Sequence, residues 1–195
     1  IAALRRRRTL DDGALAGGML AAFVAGAVGG WPWLVAPLAL FAAYTVAWRL
    51  PAGERPTHDS RVVLAVVLPG LLWLAAGQAG LPWRSAFAGY VAAWCGVAAC
   101  VGVATVIGRH GPLSAAGIGG LAAPPLAALS WLAAGGYAAD AQPMLLAAGA
   151  GATAGLIFAM LRPGLAADAP GRWLCQAMVP VPLSSAILLA GIPPS

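Results

Sequence analysis

The chain has 195 residues, of which 61% are hydrophobic and only 9% charged, and its mean hydropathy is +0.85. A soluble domain of this length needs roughly a quarter of its residues charged to cover its surface, so composition excludes one. The net charge of +5 comes from 11 basic residues, all arginine; in so apolar a chain that excess marks loops retained on the cytoplasmic side of a bilayer rather than a nucleic-acid surface.

Apolar runs of about 20 residues, enough to span ~30 Å of hydrocarbon, recur along the chain. They predict an all-α, polytopic transmembrane bundle of about six or seven spans, forming one transmembrane domain over residues 1–195. Arg5–Arg8 form a basic block. Thr9 or Asp11 can then cap a first span over 13–31, with Asp11 and Asp12 at its positive dipole end. Gly29-Gly30-Trp31-Pro32-Trp33 breaks the run, and both indoles suit the membrane interface. A second span covers 34–48, and residues 49–61 form the main polar loop. The third span covers 62–81, with Pro69 expected to kink it. The fourth covers 85–108. After the turn Arg109-His110-Gly111-Pro112 comes a fifth, 113–137, which Pro124-Pro125 should bend or interrupt. The sixth covers 143–161. A weaker seventh, 173–192, contains Pro180 and Pro182.

With the N-terminus in the cytoplasm, ten arginines fall on the cytoplasmic side and Arg84 alone outside, as the positive-inside rule requires. The alanine-, arginine- and glycine-rich composition without lysine points to the plasma (inner) membrane of a high-GC bacterium. Gly13-x-x-x-Gly17, Gly26-x-x-x-Gly30 and Gly151-x-x-x-Gly155 are expected to let helix backbones approach closely. Cys95 and Cys100, five residues apart, point to different sides of a helix. Together with Cys175 they read as small packing residues rather than a disulfide or a metal site.

No Asp, Glu, His, Lys or Arg lies in the core of any span, which argues against a proton-coupled pump, a voltage sensor or an intramembrane protease. The interior polar residues are mild: Tyr44, Thr45, Gln78, Tyr90, Thr105, Ser130, Thr153, Gln176, Ser184 and Ser185. These are expected to be interhelical hydrogen-bond partners. Any chemistry therefore belongs to the cytoplasmic interface. There Arg49, Arg55, Arg61 and Arg109 can grip phosphates or headgroups, His58-Asp59 can make an oriented base, and His110 stands beside Arg109. The same residues also read as a solvated loop with retained arginines. No nucleotide-binding loop, zinc-protease motif or nucleophile elbow is present.

Thr9 to Trp48 resembles the opening of the integral membrane family that includes phytyl-phosphate kinase, more distantly similar to dolichol kinases and phosphatidate cytidylyltransferases. Leu10, Gly13, Ala14, Gly29, Gly30, Trp31 and Phe41 carry the likeness, and Phe87 to Ala93 is in the style of the family's fourth helix. Where that family carries an acidic motif, this chain has Trp94-Cys95-Gly96-Val97-Ala98-Ala99-Cys100-Val101-Gly102, with no carboxylate. The resemblance implies a prenyl- or lipid-phosphate kinase-like protein, with Mg²⁺ as cofactor if it is active. The missing acids imply a pseudo-enzyme, because phosphoryl transfer needs metal-bound carboxylates.

Three functions follow. The first is a non-catalytic membrane subunit or scaffold that packs against other membrane proteins or a second copy, using no cofactor. The second is a prenyl- or lipid-phosphate-processing or -binding protein at the cytoplasmic face. The third is a small transporter for a neutral or lipidic solute, with helices broken at prolines as its lining.

Overall fold

The computed structural model describes residues 12–47, 60–106, 111–135 and 142–161. All the regular structure among them is helical. Helix α1 (Asp12–Val24) ends in a π-helical turn, Ala25–Gly29. Asp12 opens it, where a carboxylate complements the exposed N–H groups of a helix start. Gly30 follows with φ +85°, a left-handed conformation that only glycine adopts without strain, and the chain reverses there. Helix α2 (Pro32–Ala47) begins on proline, which needs no ladder donor at that position. Helix α3 (Ser60–Gln78) carries Pro69 in its interior, and α4 (Trp83–Val106) follows a turn through Gly80, φ +106°. Then come α5 (Pro112–Gly120), α6 (Ala123–Ala133) and α7 (Gln142–Leu161).

The expected interruption of the fifth span is present. The helix stops at Gly120 and restarts at Ala123, with Pro124 and Pro125 in the first turn of α6. The break after the first span is narrower than the sequence implies: Pro32 and Trp33 already belong to α2. Four stretches among the described residues are long and apolar enough to cross a membrane: Asp12–Gly29, Trp83–Val103, Pro112–Ala133 and Gln142–Leu161. The apolar parts of α2 and α3, Pro32–Ala43 and Val66–Gln78, are shorter. The expected seventh span, 173–192, lies outside the described residues.

Helix α4 is the axis of the bundle. Of the most apolar eighteen residues in its Trp83–Val103 stretch, 89% are buried, against 17% for the stretch that contains α1. Its longest interface is with α7, and it also meets α3, α5, α6 and α2. The directions follow from the contacts. Gly151 and Gly155 of α7 lie against Cys95 and Ala99 of α4, so these two run parallel. Gly70 and Gly77 of α3 lie against Tyr90 and Ala86 of α4, so these run antiparallel. One end of the bundle therefore gathers the ends of α2, α4 and α7 and the starts of α1, α3 and α5. The opposite end holds the turns around Gly30 and Gly80.

Candidate functional site

Two features could carry function: the end of the bundle where the arginine-bearing linkers attach, and the aromatic interior at the opposite end.

At the first end, Arg61 is the second residue of α3. The other residues singled out by the sequence, Arg49, Arg55, His58, Asp59, Arg109 and His110, lie outside the described residues. The helices that flank them do converge. Ala47 and Ser60 bracket the first linker, Val106 and Pro112 the second, and all four belong to that one end. Cys100 and Val103 of α4, Ala115 and Ala116 of α5, and Phe158 and Ala159 of α7 form a compact apolar cluster near this end. The helix ends that flank the linkers thus stand close to a floor of small and apolar side chains, Phe158 among them. Arg84, at the start of α4, sits at the opposite end. Among the described residues no three of His, Cys, Asp and Glu come together.

At the opposite end the aromatic side chains interlock. Trp33 is fully buried, with its ring centroid 4.4 Å from Tyr90, 5.0 Å from Trp83 and 5.5 Å from Phe87. Phe87 in turn meets Trp131 of α6 at 5.8 Å. The expectation that Trp31 and Trp33 both serve as interfacial anchors is corrected here. Trp31 is exposed, but Trp33 belongs to the core.

A proline explains the main polar contact of this cluster. Pro37, inside α2, has no N–H to give to the carbonyl of Trp33 four residues back. The hydroxyl of Tyr90 donates to that carbonyl instead, across the α2–α4 interface. Tyr90 is thus the interhelical partner expected of it. Ser130 and Thr153 are not. Their hydroxyls bond back along their own helices, to Leu126 O at 2.8 Å and Gly149 O at 2.8 Å. The indole N–H groups of Trp33 and Trp94 are buried and find no acceptor among the described residues. A Cβ on Gly70 would lie 2.8 Å from Trp94 Nε1, so that nitrogen is pressed against the backbone of α3.

The glycine motifs divide. Gly151-x-x-x-Gly155 does bring backbones together: a Cβ on Gly151 would lie 2.4 Å from Cys95 Cβ, and one on Gly155 would lie 2.8 Å from Ala99 Cβ. Gly26-x-x-x-Gly30 does not; Gly26 faces the side chain of Leu34, and Gly30 makes the turn. Gly17 is only in ordinary contact with Val63. Sequence reading missed Gly102 and Gly119, where a Cβ on Gly102 would lie 2.8 Å from Gly119 Cα. They belong to different helices, so no spacing within one helix could reveal the pair. Cys95 and Cys100 are buried and free, and the Cys95 thiol donates to Ala123 O at 3.3 Å. They fill space between helices, as their apolar setting implied.

No family model, characterised protein or solved structure matches this chain.

Proposed function

We propose that the protein is a non-catalytic, multi-pass membrane subunit of six or seven spans, with its N-terminus in the cytoplasm, that packs against a partner membrane protein. One observation carries this reading: the interior is spent on self-packing, while α1 remains uncovered. Trp94 to Cys100, the stretch that lacks the kinase-like family's acids, is buried in the bundle, with Gly151 and Gly155 of α7 seated on Cys95 and Ala99. On α1, by contrast, Met19, Leu20 and Phe23 all point outward. A span with so little intramolecular cover suits a subunit that completes its packing on a neighbour.

The test is purification of the full chain from its own membrane in mild detergent. The expected result is one membrane protein recovered at constant stoichiometry through size exclusion, and lost when Leu20→Ala and Phe23→Ala are combined. A chain that is monodisperse and alone would overturn the reading, as would a partner indifferent to those two positions.

A second reading, binding or processing of a prenyl or lipid phosphate at the cytoplasmic face, draws on the convergence of the linker-bearing helix ends. In it, Arg49, Arg55, Arg61 and Arg109 hold the phosphate, His58, Asp59 and His110 stand nearby, and Mg²⁺ neutralises charge if transfer occurs. Retention of prenyl phosphate by the purified protein that survives Arg55→Ala and Arg109→Ala would discard it.

A further inference from the structure

Pro124 and Pro125 carry no N–H, so the first turn of α6 cannot bond back to the carbonyls of Gly120 and Leu121. The bonds present at the break belong to α5: Leu121 N–H donates to Gly117 O at 3.2 Å and Ala122 N–H to Gly119 O at 3.1 Å. Leu121 and Ala122 are therefore tied to α5, and the weak point lies where α6 starts. Both residues keep near-helical dihedrals, φ −62°, ψ −15° and φ −75°, ψ −23°. A small rotation there crosses no forbidden region. The stretch Pro112–Ala133 has 22 residues and Ala122 is its eleventh, so the weak point sits at mid-span.

The two halves are held unequally. Helix α6 is pinned at both ends. The Cys95 thiol donates to the carbonyl of Ala123, its first residue, at 3.3 Å, and Trp131 meets Phe87 of the aromatic cluster at 5.8 Å. Of α5, only Ala115, Ala116 and Gly119 are buried, and its closest contacts lie beside the break. A Cβ on Gly119 would lie 2.6 Å from Ala99 O, and one on Gly120 would lie 3.5 Å from Ala152 Cβ. Toward Pro112 the hold passes to the methyl groups of Ala115 and Ala116, which cluster with Val103 and Phe158. On the other side of α5, Leu113 and Ile118 are exposed and a Cβ on Gly117 would meet nothing within 4 Å. Lipid tails are as apolar as such an alanine seam, so parting it in hydrocarbon costs packing alone.

We propose that α5 is a hinged arm that pivots at the Ala122–Ala123 junction, with Gly119 as fulcrum, and parts from α4 and α7 at its Pro112 end while α6 stays fixed. The arm has nine residues. At 1.5 Å per residue it is ~14 Å long, so a turn of ~20° carries its far end ~5 Å. The device needs neither a partner protein nor a particular orientation in the membrane.

Thiol labelling of the full chain in its native membrane reads the opening. Ala115→Cys and Ala127→Cys put matched reporters at two fully buried alanines, one on each half. Membrane-permeant N-ethylmaleimide is the probe, and peptide mass spectrometry separates the sites from the native cysteines. Each rate is taken relative to the same site in the denatured chain. Ala115→Cys is expected to react about tenfold faster than Ala127→Cys. Equal rates, or a faster Ala127→Cys, would overturn the proposal. Adding Pro124→Ala and Pro125→Ala returns both donors to the ladder and should slow Ala115→Cys about fivefold, with Ala127→Cys unchanged. An unchanged rate at Ala115→Cys would overturn it as well.

A distance measurement stands apart from the proline substitutions. Leu113, Leu132 and Leu145 are exposed, on α5, α6 and α7 in turn. Spin labels at Leu113→Cys and Leu132→Cys, attached briefly in a Cys175→Ala chain so that buried thiols are spared, are expected to show two separations. Leu132→Cys with Leu145→Cys should show one. A single narrow separation for the first pair would sink the hinge.

Discussion

Tyr90 makes good a donor that α2 gave up when Pro37 entered it. Tyr90→Phe should therefore cost about 1–3 kcal/mol, because it leaves a buried carbonyl unpaired. In a Pro37→Ala background the ladder supplies the missing N–H, and the same substitution should cost much less. A double-mutant cycle read by thermal unfolding in detergent measures that coupling. Glycines give a second residue-scale contrast. Gly151→Ala drives a Cβ to 2.4 Å from Cys95 Cβ and should destabilise by about 3 kcal/mol, since α7 must move off α4. Gly149→Ala meets nothing within 4 Å, so it should be neutral or stabilising by up to about 1 kcal/mol. Equal effects at the two positions would show that the α4–α7 contact is not as close as described.

Among the elements, those set by punctuation were legible and those set by facing were not. Gly30 and the Pro124-Pro125 pair announce their breaks because backbone chemistry is local. The difference between Trp31 and Trp33 is not local. A helix that is apolar all round gives no stripe to show which side meets lipid and which meets protein. For the same reason nothing in α4 marks it as the enclosed helix. Facing has measurable consequences. Ala99→Leu, on the flank of α4 beneath Gly155, should cost about 1–3 kcal/mol through overpacking. Phe23→Leu, on the open side of α1, should stay within about 0.5 kcal/mol in the same unfolding assay. Of the candidate phosphate-binding residues, the described helices place only Arg61. The rest lie outside the described residues, in stretches whose sequence has no periodicity to fix a face and so supplies chemistry without position.

At the scale of the molecule, the alternation of helix directions gives the arginine count a geometric counterpart. The helix ends that flank Arg55 and Arg109 in sequence gather at one end of the bundle, and Arg84 stands at the other. In a background lacking the three native cysteines, Arg84→Cys should react with a membrane-impermeant maleimide on intact cells. Arg55→Cys and Arg109→Cys should react only after permeabilisation. The reverse pattern would invert the topology while leaving the bundle intact.

The flank of α4 that holds Cys95 and Ala99 is closed by a helix the ribosome makes later. At about 5–20 residues per second, roughly 3 to 11 s separate the synthesis of Val106 from that of Leu161. Through that interval the newborn chain carries a bare seam of alanine, glycine and cysteine, held against lipid or the insertion machinery. Completeness is thereby made readable to cellular surveillance. A chain that stops after Gly135 should be degraded faster in a pulse-chase than one that stops after Leu161, although both contain the whole of α4.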